Sequence, residues 1–189
     1  MKLIKPHGIT GFKSMLRMSP LTMSISAIIF GLTFLINENN IETMKYIISV
    51  LASISIVIHL VELYIMGSRL FNQVKTNMFT IAVLLKLIMS SILSFNNIYF
   101  AMYMFNQKSF KISDTDFKKG ETYYYPKMYF AFFYFSVYTF FTQGYGDVYP
   151  DNLLSRSVAV TQMGLSYLIT AYIFSKILVY SEDRKNKKK

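Results

Sequence analysis

The most informative pattern in this chain is Thr142-Gln143-Gly144-Tyr145-Gly146-Asp147. It alternates glycine with larger residues and lies between two apolar segments. An aromatic-rich segment, 127–141, precedes it, and a long apolar run, 154–180, follows it. Ordinary L-residues avoid positive φ for steric reasons, whereas glycine adopts it freely. Gly144 and Gly146 are therefore expected to take positive φ and to let successive backbone carbonyls point the same way.

The composition is that of a membrane protein. Of the 189 residues, 53% are hydrophobic and 16% are charged, which is too apolar for a typical soluble domain of this size. The lack of cysteine excludes disulfides and thiolate metal sites, and two histidines, His7 and His59, are too few for a histidine metal centre. The net charge of +10 lies in short segments between apolar runs, so we interpret it as a signal of membrane orientation rather than of nucleic-acid binding.

Four apolar runs predict four transmembrane helices in an all-α protein: Leu21–Ile36, Met44–Met66, Met78–Phe105 and Leu154–Tyr180. Each is close to or above the roughly 17 to 25 residues that a span needs. Lys and Arg accumulate before the first run, after the second and after the fourth, so both termini are expected in the cytoplasm. The lysines of segment 106–127 weaken this bias. Residues 1–20 fit either a short interfacial amphipathic helix or a disordered basic arm.

The glycine-containing stretch belongs to a longer pattern, Thr139-x-x-Thr142-x-Gly144-Tyr145-Gly146-Asp147, followed by Pro150, Arg156 and Gly164. Roughly residues 129–180 thereby resemble the pore region of the potassium channel family. The resemblance implies a re-entrant pore helix over Lys127–Phe141, an outer helix at Met78–Phe105 and an inner helix at Leu154–Tyr180. It also implies a homotetramer, since one chain supplies only one side of each ring of ligands.

The resemblance also assigns roles around the filter. Carbonyl oxygens replace the hydration shell of K⁺ in such filters, and here they come from consecutive residues: Thr142, Gln143, Gly144 and Tyr145, with the Thr142 hydroxyl. Gly146 completes the filter, and Asp147 is expected at its outer mouth. Supporting contacts are expected from Tyr138, Thr139 and Phe141. Permeant K⁺ is the expected metal, with no resident cofactor.

Two residues depart from the family pattern: Gln143 stands where an aliphatic residue is usual, and Phe141 where a small hydroxyl residue is common. The Gln143 side chain is expected in the packing behind the filter, where an unpaired amide costs about 2 to 7 kcal/mol. Its candidate partners are Tyr138 and the pore helix of a neighbouring subunit. A looser, non-selective cation filter is the alternative that Gln143 leaves open.

Helical spacing places one stripe of five residues along the inner helix: Met163, Tyr167, Thr170, Phe174 and Leu178. This stripe is expected to line the cavity below the filter; alternatively, it is only the packing face of the helix. Gly164 is a candidate flex point, although it does not fall at the usual hinge position of the family. Arg156 is expected to anchor the helix at the outer surface.

A polar cluster is predicted inside the outer spans. His59 and Glu62 lie one helical turn apart, and Lys86 falls at about the same membrane depth across a short turn. The expected contact is a Lys86–Glu62 pair with His59 beside it. The alternative is that Lys86 extends alone to the inner interface. A pH-responsive role for His59 is a further hypothesis.

The predicted organisation is a cytoplasmic segment, 1–20, a peripheral transmembrane hairpin, 21–76, a pore domain, 77–180, and a basic cytoplasmic tail, 181–189. No span repeats arginine at every third position, so no voltage-sensing helix is predicted. The expected function is passive, potassium-selective conduction in the cell membrane. Lipid and other copies of the chain are the expected partners, with no small-molecule substrate and no enzymatic site. A non-conducting membrane subunit or scaffold is the rival from another class.

Overall fold

The computed structural model describes residues 8–37, 39–70, 78–113, 121 and 123–186. Side chains are described for residues 21–37, 39–65, 85–113, 121, 123–175 and 178. The predictions for the first seven residues, for the lysines within 114–120 and for the last three lysines lie outside this part of the chain.

Five α-helices form the described fold: α1 (Gly8–Thr33), α2 (Ile41–Leu70), α3 (Met78–Phe105), α4 (Tyr124–Phe140) and α5 (Leu153–Asn186). A single 3-10 turn, Gln107–Ser109, and a short strand, β1 (Phe110–Ile112), follow α3. A second strand, β2 (Val148–Pro150), lies between α4 and α5. The described chain is therefore mostly helical, and the short helix α4 occupies the place predicted for the pore helix.

The helix bounds follow the apolar runs closely. The third run and α3 share the same bounds, and α4 begins three residues before the predicted Lys127. Helix α1 begins at Gly8 and continues without a break into the first apolar run. This continuity favours the helical alternative for the N-terminal segment, whose side chains are not described before residue 21.

Three of the described helices are long and apolar enough to cross a membrane, over Ile41–Ile65, Leu85–Phe105 and Leu153–Ser175. The apolar part described for α1, Leu21–Thr33, is shorter than the roughly 17 to 25 residues of a typical span. Of these candidate spans, α3 is the central one, with 72% of its apolar window buried against 28% for α2 and 22% for α5. The predicted fourth span, in α1, stays a prediction.

A chain of polar contacts joins the first four helices. The Asn97 amide of α3 donates to Ser26 Oγ of α1 at 2.9 Å and to Ser55 Oγ of α2 at 3.2 Å. The Tyr129 hydroxyl of α4 donates to Asn97 Oδ1 at 2.7 Å. All four residues are buried. Helices in lipid gain little from apolar contact with each other, so such hydrogen bonds help to hold them together.

A second set of polar contacts fixes α5 against α3 and α4. The Gln162 side-chain amide of α5 donates to Ser136 O at 3.0 Å and to Ser136 Oγ at 2.8 Å. Its carbonyl oxygen accepts from the Tyr99 hydroxyl at 2.7 Å. Gln162 is fully buried, so one side chain links the three helices around the glycine-containing stretch.

We expect Gln162→Leu to destabilise the fold, because it leaves the buried Tyr99 hydroxyl without its acceptor at a cost of about 1 to 3 kcal/mol. Thermal unfolding of the purified protein in detergent measures this, with the exposed Gln107→Leu as the matched control. If the hydrogen bond is the cause, Tyr99→Phe should add little further loss to Gln162→Leu. Fully additive losses would contradict this explanation.

Candidate functional site

Helix α4 ends in a Schellman motif, which sets the direction of the stretch that follows. The Gln143 N–H donates to the Tyr138 carbonyl at 2.8 Å, and the Thr142 N–H donates to the Thr139 carbonyl at 3.1 Å. Thr142 takes φ of 57°, the left-handed conformation that this motif requires just after the helix end. The chain thus leaves α4 at Thr142 with two of its last carbonyls satisfied.

The positive φ values are only partly those predicted. Gly146 has φ of 79°, as predicted. The prediction for Gly144 is wrong, since its φ lies outside the left-handed region and Thr142 adopts that conformation instead. The reason is the end of α4, where the two hydrogen bonds of the Schellman motif require the residue after the C-cap Phe141 to be left-handed. For a β-branched residue this conformation is strained.

The four carbonyls predicted as ligands belong to a row of consecutive residues and have no hydrogen-bond partner in the described part of the chain. None of the residues that the structure describes donates a hydrogen bond to the carbonyls of Thr142, Gln143, Gly144 or Tyr145. Residues 141–146 are all exposed in the single chain. These backbone oxygens are therefore available to bind something outside the chain.

The segment after the glycines is tied down by a small antiparallel sheet. Strands β1 and β2 pair in the register Phe110↔Pro150, Lys111↔Tyr149 and Ile112↔Val148. The Ser113 N–H donates to the Asp147 carbonyl at 2.7 Å, and the Asp147 carboxylate accepts from the next N–H at 2.9 Å. This sheet fixes the far end of the stretch to the segment that follows α3. The sheet is not among the elements predicted from the sequence.

Tyr138 supports the stretch from behind, but not in the way predicted. Its hydroxyl donates to the Val148 carbonyl at 2.6 Å, so Tyr138 is not the hydrogen-bond partner of the Gln143 side chain. The other candidate partner, the pore helix of a neighbouring subunit, stays a prediction. The Tyr138 hydroxyl reaches β2 because α4 runs beside it.

Gln143 is exposed, and its side-chain oxygen accepts a long hydrogen bond of 3.5 Å from the Tyr145 hydroxyl. The Tyr145 ring stacks against Tyr134 at a centroid distance of 6.0 Å and meets Tyr138 edge-on at 5.8 Å. Of the other predicted supports, Thr139 is buried, whereas Phe141 is 56% exposed. Aromatic rings of α4 therefore contact one side of the stretch, and the other side is open.

The predicted stripe of α5 is largely open in the single chain. Tyr167, Phe174 and Leu178 are each more than 60% exposed, Thr170 is exposed and Met163 is half-buried. On a helix that can span a membrane, an exposed apolar stripe of this kind faces lipid, lines a cavity or meets another copy. A Cβ added at Gly164 would meet nothing within 4 Å, and the Arg156 side chain donates to the Pro150 carbonyl at 3.4 Å.

The predicted polar cluster forms with a different third member. The His59 Nδ1 to Glu62 Oε2 distance is 3.7 Å, and Ser90 Oγ donates to the same carboxylate oxygen at 2.6 Å. No Lys86–Glu62 ion pair occurs among the described side chains, so that prediction is wrong. Ser90, one turn beyond Lys86 on α3, occupies the position facing the carboxylate. Lys86 is half-buried.

Comparison with known protein families identifies the chain. A family model described as an ion channel matches residues 78–182, which is more than half of the 189-residue chain. This chain belongs to the ion channel family. The matched region begins at the first residue of α3 and extends into α5, so it contains α4, both strands and the row of unpaired carbonyls. Neither the curated proteins nor the solved structures that were searched gave a match.

Two residues that hold the channel's helices and strands together were not predicted from the sequence. Gln162 was not singled out, although an amide inside an apolar span is a recognisable signal for contact between helices. Ser109 was also missed, and its carbonyl accepts from the Asp151 N–H at 2.9 Å and from Ser155 Oγ at 2.8 Å. No sequence signal predicts that contact, because it joins segments about forty residues apart.

We expect Tyr138→Phe in this channel to weaken the support of β2, since the ring stays and only the donor to the Val148 carbonyl is lost. Losing a single buried hydrogen bond of this kind costs about 1 kcal/mol. Ion flux through reconstituted protein should fall while the fold persists, as judged by circular dichroism. Tyr123→Phe, at a 58% exposed position, is the matched control. Equal flux for the two variants would contradict a supporting role for the hydroxyl.

Proposed function

We propose that the channel conducts K⁺ selectively and passively, as a homotetramer, through a filter lined by the carbonyls of residues 142–145. The observation that carries this proposal is the row of four carbonyls without hydrogen-bond donors among the described residues. Rings of such oxygens replace the hydration shell of K⁺. The C-terminal end of α4 points its negative dipole towards the same place, which favours a cation.

The membrane environment favours assembly with other copies, and the resemblance to the potassium channel family implies that there are four. Non-helical backbone at membrane depth persists only where protein surrounds it or where it lines a water-filled path. In the single chain, residues 141–146 are exposed, as is most of the stripe of α5. Three further copies around one axis would cover these surfaces and complete each ring of carbonyls. Closed cyclic symmetry is the usual solution for such assemblies.

The proposed membrane arrangement has four spans with α4 re-entrant between α3 and α5. The basic N-terminal segment, the turn between α2 and α3, and the C-terminal tail then lie on the cytoplasmic side of the cell membrane. Asp147 and the β1–β2 sheet lie on the outer side. In this arrangement Asp147 is at the outer mouth of the filter.

Gln143 supports a second candidate, a cation channel that does not select K⁺. Its side chain is exposed, and within the described part of the chain its only hydrogen bond is the long one from the Tyr145 hydroxyl in the same stretch. An amide with so weak a restraint leaves the filter free to adjust to ions of different size. The two candidates share one fold and differ in selectivity.

Reconstitution into liposomes tests conduction itself. Wild-type protein should pass K⁺ and be blocked by barium. In Gly146→Ala, each copy would hold an L-residue at positive φ, which costs roughly 1 to 2 kcal/mol, so flux should fall at least about tenfold. Gly31→Ala, within α1, is the matched control, because Gly31 lies outside the positive-φ region and an added Cβ meets nothing within 4 Å.

Equal flux from the two glycine variants would overturn the role of Gly146. No flux from wild-type protein would favour a non-conducting subunit instead.

Reversal potentials in mixed K⁺ and Na⁺ solutions test selectivity. We expect wild-type protein to prefer K⁺, and Gln143→Val to change this preference only modestly, because the backbone carbonyls and not the side chain bind the ion. Gln107→Val, outside the filter, is the control. A wild-type reversal potential near zero, with a large gain of K⁺ selectivity in Gln143→Val, would favour the non-selective candidate.

A further inference from the structure

A buried acid and a buried base face each other between α1, α2 and α3, away from the proposed filter. Glu62 is 3% exposed and His59 is not exposed at all. Ser90 of α3 stands between them, with its Oγ at 2.6 Å from Glu62 Oε2 and at 3.3 Å from His59 Nδ1. The Thr22 hydroxyl of α1 lies 3.0 Å from the same Ser90 oxygen. Three helices thus meet at one hydroxyl group.

The second polar atom of each titratable group has no partner. Glu62 Oε1 and His59 Nε2 are buried and make no hydrogen bond to the residues that the structure describes. The other titratable side chains described on α3 are Lys86, Tyr99 and Tyr103. Residues 21–33 of α1 include none. On α4, the Tyr129 hydroxyl contacts α1 at the Ser26 carbonyl. On α5, Tyr172 packs against the same apolar cluster as Leu63 of α2.

An isolated charge inside a bilayer is energetically unfavourable. The pair can avoid that cost by holding one proton between its two members, either as a neutral acid beside neutral imidazole or as a carboxylate beside imidazolium. A second proton leaves the site with a net positive charge in apolar surroundings. The arrangement of hydrogen bonds then has to change.

We propose that Glu62 and His59 form a proton-binding site that regulates conduction through contacts of α1 with the pore helix α4. This inference rests on the proposed function, because it requires a conducting pore. Ser90 Oγ donates to Glu62 Oε2, which fits the state with the shared proton on His59 and an ionised Glu62, since a carboxylate only accepts hydrogen bonds. A protonated Glu62 can donate, and the Ser90 hydrogen is then free to turn towards Thr22. Proton uptake therefore alters the contact between α3 and α1.

Helix α1 connects the contact at Thr22 to the pore helix α4. Thr22 and Ser26 are one turn apart on the same face of α1. The Tyr129 hydroxyl of α4 donates to the Ser26 carbonyl at 3.2 Å and to Asn97 Oδ1 at 2.7 Å. A shift of α1 against α3 at Thr22 therefore changes the distance between the Ser26 carbonyl and the Tyr129 hydroxyl. Tyr129 is in turn part of the helix that ends at the proposed filter.

The experiment measures K⁺ flux from liposomes of wild-type and variant protein at several pH values between about 5.5 and 8, the range in which histidine titrates. We expect wild-type flux to fall about fivefold or more as the pH falls, within the usual range of coupling between sites. Glu62→Gln and His59→Gln should make the profile nearly flat. Glu42→Gln, on the same helix but exposed, should keep the wild-type profile.

Tyr129→Phe tests the route. It keeps the ring and removes the hydroxyl, so it should flatten the pH profile while K⁺ flux at pH near 8 is retained, and the exposed Tyr64→Phe should change neither. Wild-type and Glu62→Gln profiles that coincide would overturn the proton site. A wild-type profile in Tyr129→Phe would overturn the route through α1. The absence of any wild-type flux would instead refute the proposed function.

Discussion

A peptide group without a hydrogen bond costs free energy in a membrane, and this cost limits which backbone structures the channel can form. Helices avoid it internally, and α2, α3 and α5 do so over their whole apolar length. The stretch from Thr142 to Tyr145 does not, since its carbonyls have no donor in the described part of the chain. Such a stretch is stable only if ions, water or other copies of the channel supply the positive charge or hydrogen-bond donors that its carbonyls lack. The other contacts hold this unsatisfied segment in place.

Two ends of the segment are fixed by different means. The Schellman motif fixes the start, because its hydrogen bonds are made by the backbone of α4 itself. The sheet between β1 and β2 fixes the end, with the Tyr138 hydroxyl bound to the same strand. Behind the segment, Gln162 holds α4 against α5 and α3. Hydrogen bonds can hold the segment in one position in lipid, where apolar contact between helices gives little preference for one arrangement over another.

The sequence predicts the helices well and the contacts less well. Apolar length alone locates α3 to the residue, and the aromatic run locates α4, because both signals are local. Positive φ was predicted for Gly144 but occurs at Thr142, because the end of α4, and not side-chain size, sets the conformation of Thr142. Lys86 was paired with Glu62 from depth alone, but depth does not say which face of α3 is turned towards α2. Three-residue strands such as β1 show too little alternation to be recognised.

The hairpin of α1 and α2 lies outside the region matched by the ion channel family, which begins at Met78. It is nevertheless joined to that region by buried hydrogen bonds, since Asn97 of α3 donates to both Ser26 and Ser55. Without the hairpin, the Asn97 amide would face lipid, where an unpaired polar group costs several kcal/mol. Tyr129 would also lose its acceptor on α1. The polar side chains of α3 and α4 are therefore suited to a channel that keeps its hairpin, and the hairpin and the pore region form one packed unit.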